Sequence, residues 1–237
     1  MRQQTRSPQN KGFSLVEVVI AIGIVAILLT TFMAVFGPAQ QNIVRALGVA
    51  DVSRLTSTLE NEMTYLRKGE SEDSAFEKAF EWVKDSHSES SAVIVYQYQA
   101  SPKSTNDDGT LEAVKAVKGS TPGVDYITQT IARKIGSPFI NSELAPGVVV
   151  GSVYAVRMTQ LVEDSSNGGL ELGDKGKVVN ADGSSAADGS KYTSGHIAFQ
   201  AEFFLLPNNL AGFVTGGKWK FDKLGEPIVV QNIAVRK

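Results

Sequence analysis

The polar and apolar positions of the chain change their period three times. Phe13 to Phe36 is almost unbroken apolar sequence over 24 residues, with Glu17 its one charge and Ser14, Thr30 and Thr31 its few other polar groups. A helix of that length spans about 36 Å at ~1.5 Å per residue, against a hydrocarbon core of about 30 Å, so it is long enough to cross a membrane. Gly37-Pro38 interrupts the run, and proline predicts a kink or local break there. From Gln40 to about Lys68, apolar residues recur three to five apart (Val44, Leu47, Val52, Leu55, Leu59, Met63, Leu66), which predicts an amphipathic helix with one buried stripe.

Beyond Lys68 the helical spacing returns once and then gives way to a period of two. Ala75, Phe76, Ala79, Phe80 and Val83 predict a second short helix over Ser74 to Asp85. Strand patterns follow at Ala92–Gln99, Val148–Val162, His196–Leu206 and Pro227–Val235, the last paired with Lys218–Phe221. In the third, Ile197, Phe199, Ala201, Phe203 and Leu205 share a face. Tyr126–Ile135 reads as another short helix. Four or five strands after a long helix predict an α+β fold, an antiparallel sheet with helices on one face. Two polar stretches separate these elements, 101–123 with Asn106-Asp107-Asp108-Gly109, and 163–195, rich in Gly, Ser and Asp. The second is longer than a structureless loop in a compact domain usually is. It reads as a surface flap, a partner-binding loop or a metal loop.

Charge sharpens this picture. The 237 residues hold 23 Lys+Arg and 25 Asp+Glu, but residues 1–12 carry Arg2, Arg6 and Lys11 and no acid. Without them, 20 basic side chains face 25 acidic ones, an excess of acid that offers no footprint for nucleic acid. Basic residues before the apolar run place residues 1–12 on the cytoplasmic side and the rest outside, by the positive-inside rule. There is no cysteine, which excludes disulfides, thiolate metal sites and cysteine nucleophiles.

Three readings of the N-terminus compete. A secretory signal peptide has Gly37-Pro38-Ala39 as its small-residue site, but its apolar region normally runs about 7–15 residues. An uncleaved single-pass anchor, holding a periplasmic binding module or enzyme, is the second. The third rests on Lys11-Gly12-Phe13-Ser14-Leu15-Val16-Glu17 and the apolar residues that follow. This segment resembles the type III signal of prepilins and pseudopilins: basic leader, Gly, Phe, and Glu at the fifth place after the cut.

That resemblance implies a leader at 1–12, a transmembrane helix at 13–36, an amphipathic stalk helix at 37–68 and a pilin-like α+β head at 69–237. It implies processing at Gly12 and Phe13, cut and N-methylated by a prepilin peptidase. It implies docking through Phe13 and Glu17, the carboxylate meeting the α-amino group of a neighbouring subunit. A carboxylate at membrane depth costs on the order of 2–3 kcal/mol. Two unit charges ~4 Å apart return about 4 kcal/mol at an effective dielectric of ~20, before desolvation. Without the motif, Glu17 equally reaches the headgroups unaided. Ala21, Gly23 and Ala26 permit close helix approach in lipid. The implied partners are other pilin or pseudopilin subunits, an inner-membrane platform protein, an assembly ATPase and membrane lipid. The implied location is the bacterial inner membrane with a periplasmic head, then a periplasmic or surface filament. Many major pilins close a C-terminal loop with a disulfide, so the missing cysteines favour a pseudopilin or minor pilin.

No enzyme chemistry stands out. His87 lies in a Ser/Glu-rich linker and His196 starts a strand, neither at zinc-site spacing. No nucleophile-elbow or phosphate-binding Gly-Lys-Ser/Thr loop is present. Tyr96 and Tyr98 share a strand face and suit either core or a partner. Calcium is the one cofactor with candidate ligands: Asp107, Asp108 and Glu112 in one loop, Asp182, Ser184 and Asp188 in the other. Neither set has the spacing of an EF-hand.

Overall fold

A computed structural model describes residues 14–163, 166 and 168–237. Within a helix that runs Leu15–Met63 (α1), side chains are described at 15–34, at 36 and from 54 onward. Gly12 and Phe13 lie outside the described residues, as do the side chains of Val44, Leu47 and Val52. The chain divides into two compact units, residues 1–47 and 48–237, each described below by itself.

In the first unit, the helix passes Gly37-Pro38 without a break in its assignment. Of the kink or local break expected at proline, the break is absent, the helix running on through residues 37–38.

In the second unit, α1 ends at Met63, short of the expected Lys68. Its last turns bury Leu55, Leu59 and Met63, each at most 1% exposed. At ~1.5–3 kcal/mol for each fully buried side chain, this seam binds the helix to the sheet. α2 (Ala75–Asp85) is capped by Ser74, whose hydroxyl accepts the Glu77 amide at 3.1 Å. Phe76, Ala79, Phe80 and Val83 enter the same core.

Seven antiparallel strands form the sheet: β1 (Val93–Thr105), β2 (Leu111–Ala113), β3 (Ile127–Lys134), β4 (Val149–Glu163), β5 (Leu170–Leu172), β6 (His196–Leu205) and β7 (Val229–Arg236). The main order is β3-β1-β4-β6-β7, with β2 on the outer part of β1 and β5 on the end of β4. Alternation along each strand feeds two cores. Val93, Val95, Tyr154, Val156, Met158, Ile197, Phe199, Ala201, Phe203, Ile233 and Val235 face α1 and α2. Ile94, Tyr96, Tyr98, Val153, Ala155 and Phe204 face the other way.

That second face corrects the expectation of helices on one side only. It is covered by two short helices, α3 (Ile140–Glu143) and α4 (Ala211–Val214), and by Trp219 and Phe221. Lys218–Phe221 is accordingly not a strand. Its aromatic residues turn inward, Phe221 opens a 3-10 turn, and Trp219 donates its indole N–H to the Val214 carbonyl at 2.9 Å. Tyr96 and Tyr98 are core residues, both fully buried.

Three further expectations change. Tyr126–Ile135 is not a helix but contains β3, paired residue for residue with β1 from Ile127↔Ala100 to Lys134↔Val93. Ile131 and Ala132 are adjacent and buried on opposite faces, one in each core. Part of 101–123 is a β-hairpin: β1 continues to Thr105, and Asn106 to Gly109 turns the chain into β2. Gly109 sits at φ +82°, a region open to glycine, and its amide donates to the Asn106 carbonyl at 3.0 Å. The long stretch 163–195 carries β5 and then lays Val178, Ala186 and Tyr192 into the first core.

Candidate functional site

At the start of α1, Ser14 and Glu17 bond each other reciprocally. The Ser14 amide donates to the Glu17 carboxylate at 2.9 Å, and the Glu17 amide donates to the Ser14 hydroxyl at 3.3 Å. This is a capping box, which occupies two of the amides a helix start leaves without partners. Sequence reasoning missed this cap, although the pattern Ser14-Leu15-Val16-Glu17 is its signature. The same pattern recurs at Ser74-Ala75-Phe76-Glu77, but there Glu77 turns away and accepts the Gly189 amide at 2.9 Å.

Leu15–Ala34 is long and apolar enough to cross a membrane. Its two threonines satisfy their own hydroxyls. Thr30 Oγ1 donates to the Ala26 carbonyl at 2.7 Å, and Thr31 Oγ1 to the Ile27 carbonyl at 2.8 Å. A hydroxyl bonded within its helix carries little polar cost in lipid. Glu17 is therefore the one charged group of the span, and it sits in the first turn. Around Gly23 an added Cβ meets nothing within 4 Å in the single chain. Gly12 and Phe13, the residues expected to be cut and methylated, are outside the described part.

The head holds two buried ionic clusters. Lys78, with no exposure, reaches Glu62 at 3.3 Å, Glu70 at 2.9 Å and the Tyr65 carbonyl at 2.9 Å, and lies 5.0 Å from the Trp82 ring centre. Arg67 completes it with two bonds to Glu62, at 2.5 and 2.7 Å. In the second cluster Arg133 is held by Glu143 at 2.6 Å and Asp108 at 2.8 Å. Burial alone would lower the Arg133 pKa. Hydrogen bonds and charge from Glu143 more than reverse that, so the guanidinium stays firmly charged. Tyr96 donates its hydroxyl to Glu143, and burial, reinforced by that carboxylate, raises its pKa well above the ordinary value. A cavity of about 440 Å³ opens between the clusters, walled by Glu62, Glu70, Trp82, Arg133 and Phe139. The charges here are spent on one another, tying α1 to α2 and β3 to α3. Sequence reasoning missed both clusters, because nothing local marks Lys78 or Arg133 as buried.

The calcium candidates are not drawn together. Asp108 is buried, with one oxygen on Arg133 and the other on the Thr110 hydroxyl and amide. Burial would raise its pKa, but bonds to Thr110 and Arg133 outweigh that and lower it. Asp107 and Glu112 are exposed on the hairpin. Asp182 accepts the Ser184 amide and hydroxyl. Asp188 accepts from Ser190 and the Lys191 amide, which lowers its pKa. Among the described residues no three Asp, Glu or His side chains converge as a metal site would require. His87 is half-buried and within 3.2 Å of the Thr159 hydroxyl, its pKa lowered chiefly by burial. His196 is exposed at the start of β6.

Comparison with known proteins places one element. Residues 7–33 match the prokaryotic N-terminal methylation motif. The matched segment runs from Ser7 across Gly12, Phe13 and Glu17 into the apolar helix, so the chain carries a signal of the type IV pilin and pseudopilin type. With the apolar helix and the antiparallel α+β head, the arrangement is pilin-like. Comparison with curated proteins and with solved structures gives no match.

Proposed function

We propose that this chain is a non-enzymatic structural subunit of a type IV pilus-like or type II secretion pseudopilus filament. A prepilin peptidase cuts after Gly12 and methylates the new amine of Phe13. The apolar helix then holds the subunit in the inner membrane, with its head in the periplasm, until a platform protein and an assembly ATPase drive it into the filament. The observation that carries this reading is the methylation motif over residues 7–33, laid directly onto an apolar helix that keeps a single carboxylate in its first turn.

The capping box adds a step to docking. In the lone subunit the Glu17 carboxylate already has a partner in the Ser14 amide at 2.9 Å. That bond is already charge-assisted through its carboxylate, so what an incoming Phe13 ammonium adds is the Coulomb attraction of a full positive charge at short range. The seat is therefore favourable only where a second subunit brings its amine to the right height.

The test is intact-mass spectrometry of the protein from cells that express a prepilin peptidase. The expected mature chain begins at N-methylated Phe13. A chain beginning at Met1 or near Gln40 overturns the reading. Glu17→Ala is expected to be cut normally and to enter filaments poorly; normal incorporation would remove Glu17 from the docking role.

A further inference from the structure

The two edges of the main sheet are unlike. At β3, Ala132 and Lys134 line the cavity closed by the segment around Glu70, and Lys134 is paired with Asp85 at 2.6 Å, so this edge is partly walled. At β7 nothing comparable is present among the described residues. The Lys237 amide bonds the Gly195 carbonyl at 2.9 Å, which sets the alternation along the pair. Residues 229, 231, 233, 235 and 237 turn their backbone groups toward β6. Those of Val230, Asn232, Ala234 and Arg236 turn outward. The pairing with β6 runs without a register shift from Val229↔Phe203 to Arg236↔His196.

Sheet edges are normally guarded by lysine, proline, a bulge or a short strand. Within its eight residues β7 has no proline, no lysine and no register shift, and Arg236 is its one charge. Its guards sit at the start, where Pro227 precedes it and the Ile228 amide joins Val229 opposite Phe203, donating to that carbonyl at 2.8 Å. The residue after the strand, Lys237, folds back instead. Its ammonium donates to the Tyr192 carbonyl at 2.7 Å and lies 5.6 Å from the Phe76 ring centre. Val230, Asn232 and Ala234 are exposed along the edge, Val230 at 46%.

We propose that β7 is a homotypic docking edge: two copies of this chain pair antiparallel through Val229–Arg236, joining their sheets about a two-fold axis. The strand is self-complementary in one register centred on Ile233. There Asn232 faces Ala234 of the second copy and Val230 faces Arg236, so all the outward backbone groups meet partners. Arg236, the strand's one charge, then meets no like charge. Such a contact is isologous and closes at two copies. It uses only the heads, so it is independent of filament entry.

The cysteine-free sequence makes the test direct. Full-length Asn232→Cys and Ala234→Cys chains with different tags are co-expressed, and their membranes are oxidised. In the proposed register these positions are a hydrogen-bonded pair with Cα atoms ~5.5 Å apart, inside the ~4.4–6.8 Å range a disulfide needs. Asn232→Cys alone puts like positions on a diagonal at ~7–8 Å, where a disulfide does not close. The expected result is a covalent dimer in the mixture and its loss in either variant alone. Absence of the mixed dimer, or equal linking of Asn232→Cys alone, overturns the proposal. As a second arm, Ala234→Pro deletes an outward donor while sparing the bonds to β6. It is expected to abolish linking between Val230→Cys and Arg236→Cys chains; undiminished linking counts against the edge. The Asn232→Cys and Ala234→Cys pair placed in Gly12→Val chains that keep residues 1–12 is expected to link as it does in chains with Gly12, so a fault in processing and a fault in pairing are read separately. Loss of linking in those chains overturns the independence claimed here.

Discussion

Lys78 donates to the Tyr65 carbonyl at 2.9 Å, thirteen residues earlier in the chain. It thereby closes the end of α1 from the buried side of α2. Its other contacts, Glu62 and Glu70, bracket the same turn. One side chain thus ties the end of the long helix, and the turn that follows it, to α2.

Lys78→Met keeps most of the volume and removes the charge. Removing one member of a buried ion pair costs ~3–5 kcal/mol, and the lower end applies because Arg67 still holds Glu62. The expected outcome is a loss of about 3 kcal/mol, read from denaturant unfolding of the purified chain in detergent. A loss below about 1 kcal/mol would show that the cluster only decorates the turn.

Asp108 gives the head an acid-sensitive contact. Its folded pKa is lowered, with Thr110 and Arg133 outweighing burial. The sign follows from linkage: its contribution is fully present above the unfolded value of about 3.9 and is lost as pH falls through the folded value. Asp108→Asn is expected to flatten the fall in Tm below about pH 4 relative to the parent chain. An unchanged slope would assign acid sensitivity to other carboxylates.

Tyr96→Phe removes the hydroxyl that donates to Glu143 while leaving Arg133 on that carboxylate. A hydrogen bond to a charged group contributes ~1.5–3 kcal/mol, and the expected loss is of that size. The raised Tyr96 pKa adds a check at high pH. Its contribution is present below about pH 10 and is lost as pH rises further, so the variant and the parent converge in strongly alkaline buffer.

Gly189→Ala tests how the stretch 163–195 is held. A Cβ there meets Glu77 Oε2 at 2.6 Å and Glu77 Cα at 3.2 Å. The carboxylate must swing away from the Gly189 amide it now accepts. About 1 kcal/mol is expected to be lost locally, seen as faster limited proteolysis within 173–195 while the sheet stays intact. Unchanged proteolysis would mean that Val178, Ala186 and Tyr192 alone pin the segment.

Ser14→Ala breaks the capping box at the head of α1. Losing such a cap costs about 1 kcal/mol, which corresponds to roughly fivefold faster hydrogen exchange at the Glu17 amide. Exchange at the parent rate would show that the box contributes nothing to the helix start.

The apolar span and the processing signal were legible in the sequence because both are local. Twenty-odd apolar residues after three basic ones have one solvent they suit, and the methylation motif is written within one short run, residues 7–33. The period-two face of β6 was legible for the same reason, since Ile197 through Leu205 alternate without interruption. β3 was not. Ile127, Ile131 and Ile135 stand four apart, a helical spacing, and only pairing with β1 turned the segment into a strand whose adjacent Ile131 and Ala132 face opposite cores. Lys218–Phe221 failed in the opposite sense: its alternation looked like a strand, but Trp219 and Phe221 were needed to cover the second face of the sheet. Lys78 and Arg133 were invisible as buried charges, because burial of an ion is decided by partners 8 to 25 residues away. What the chain settled by itself is what depends on neighbours along it: an unbroken apolar run, and the alternation of a strand face. What folding settled is what depends on neighbours in space, where unmatched hydrogen bonds and charges cost more than any local preference returns.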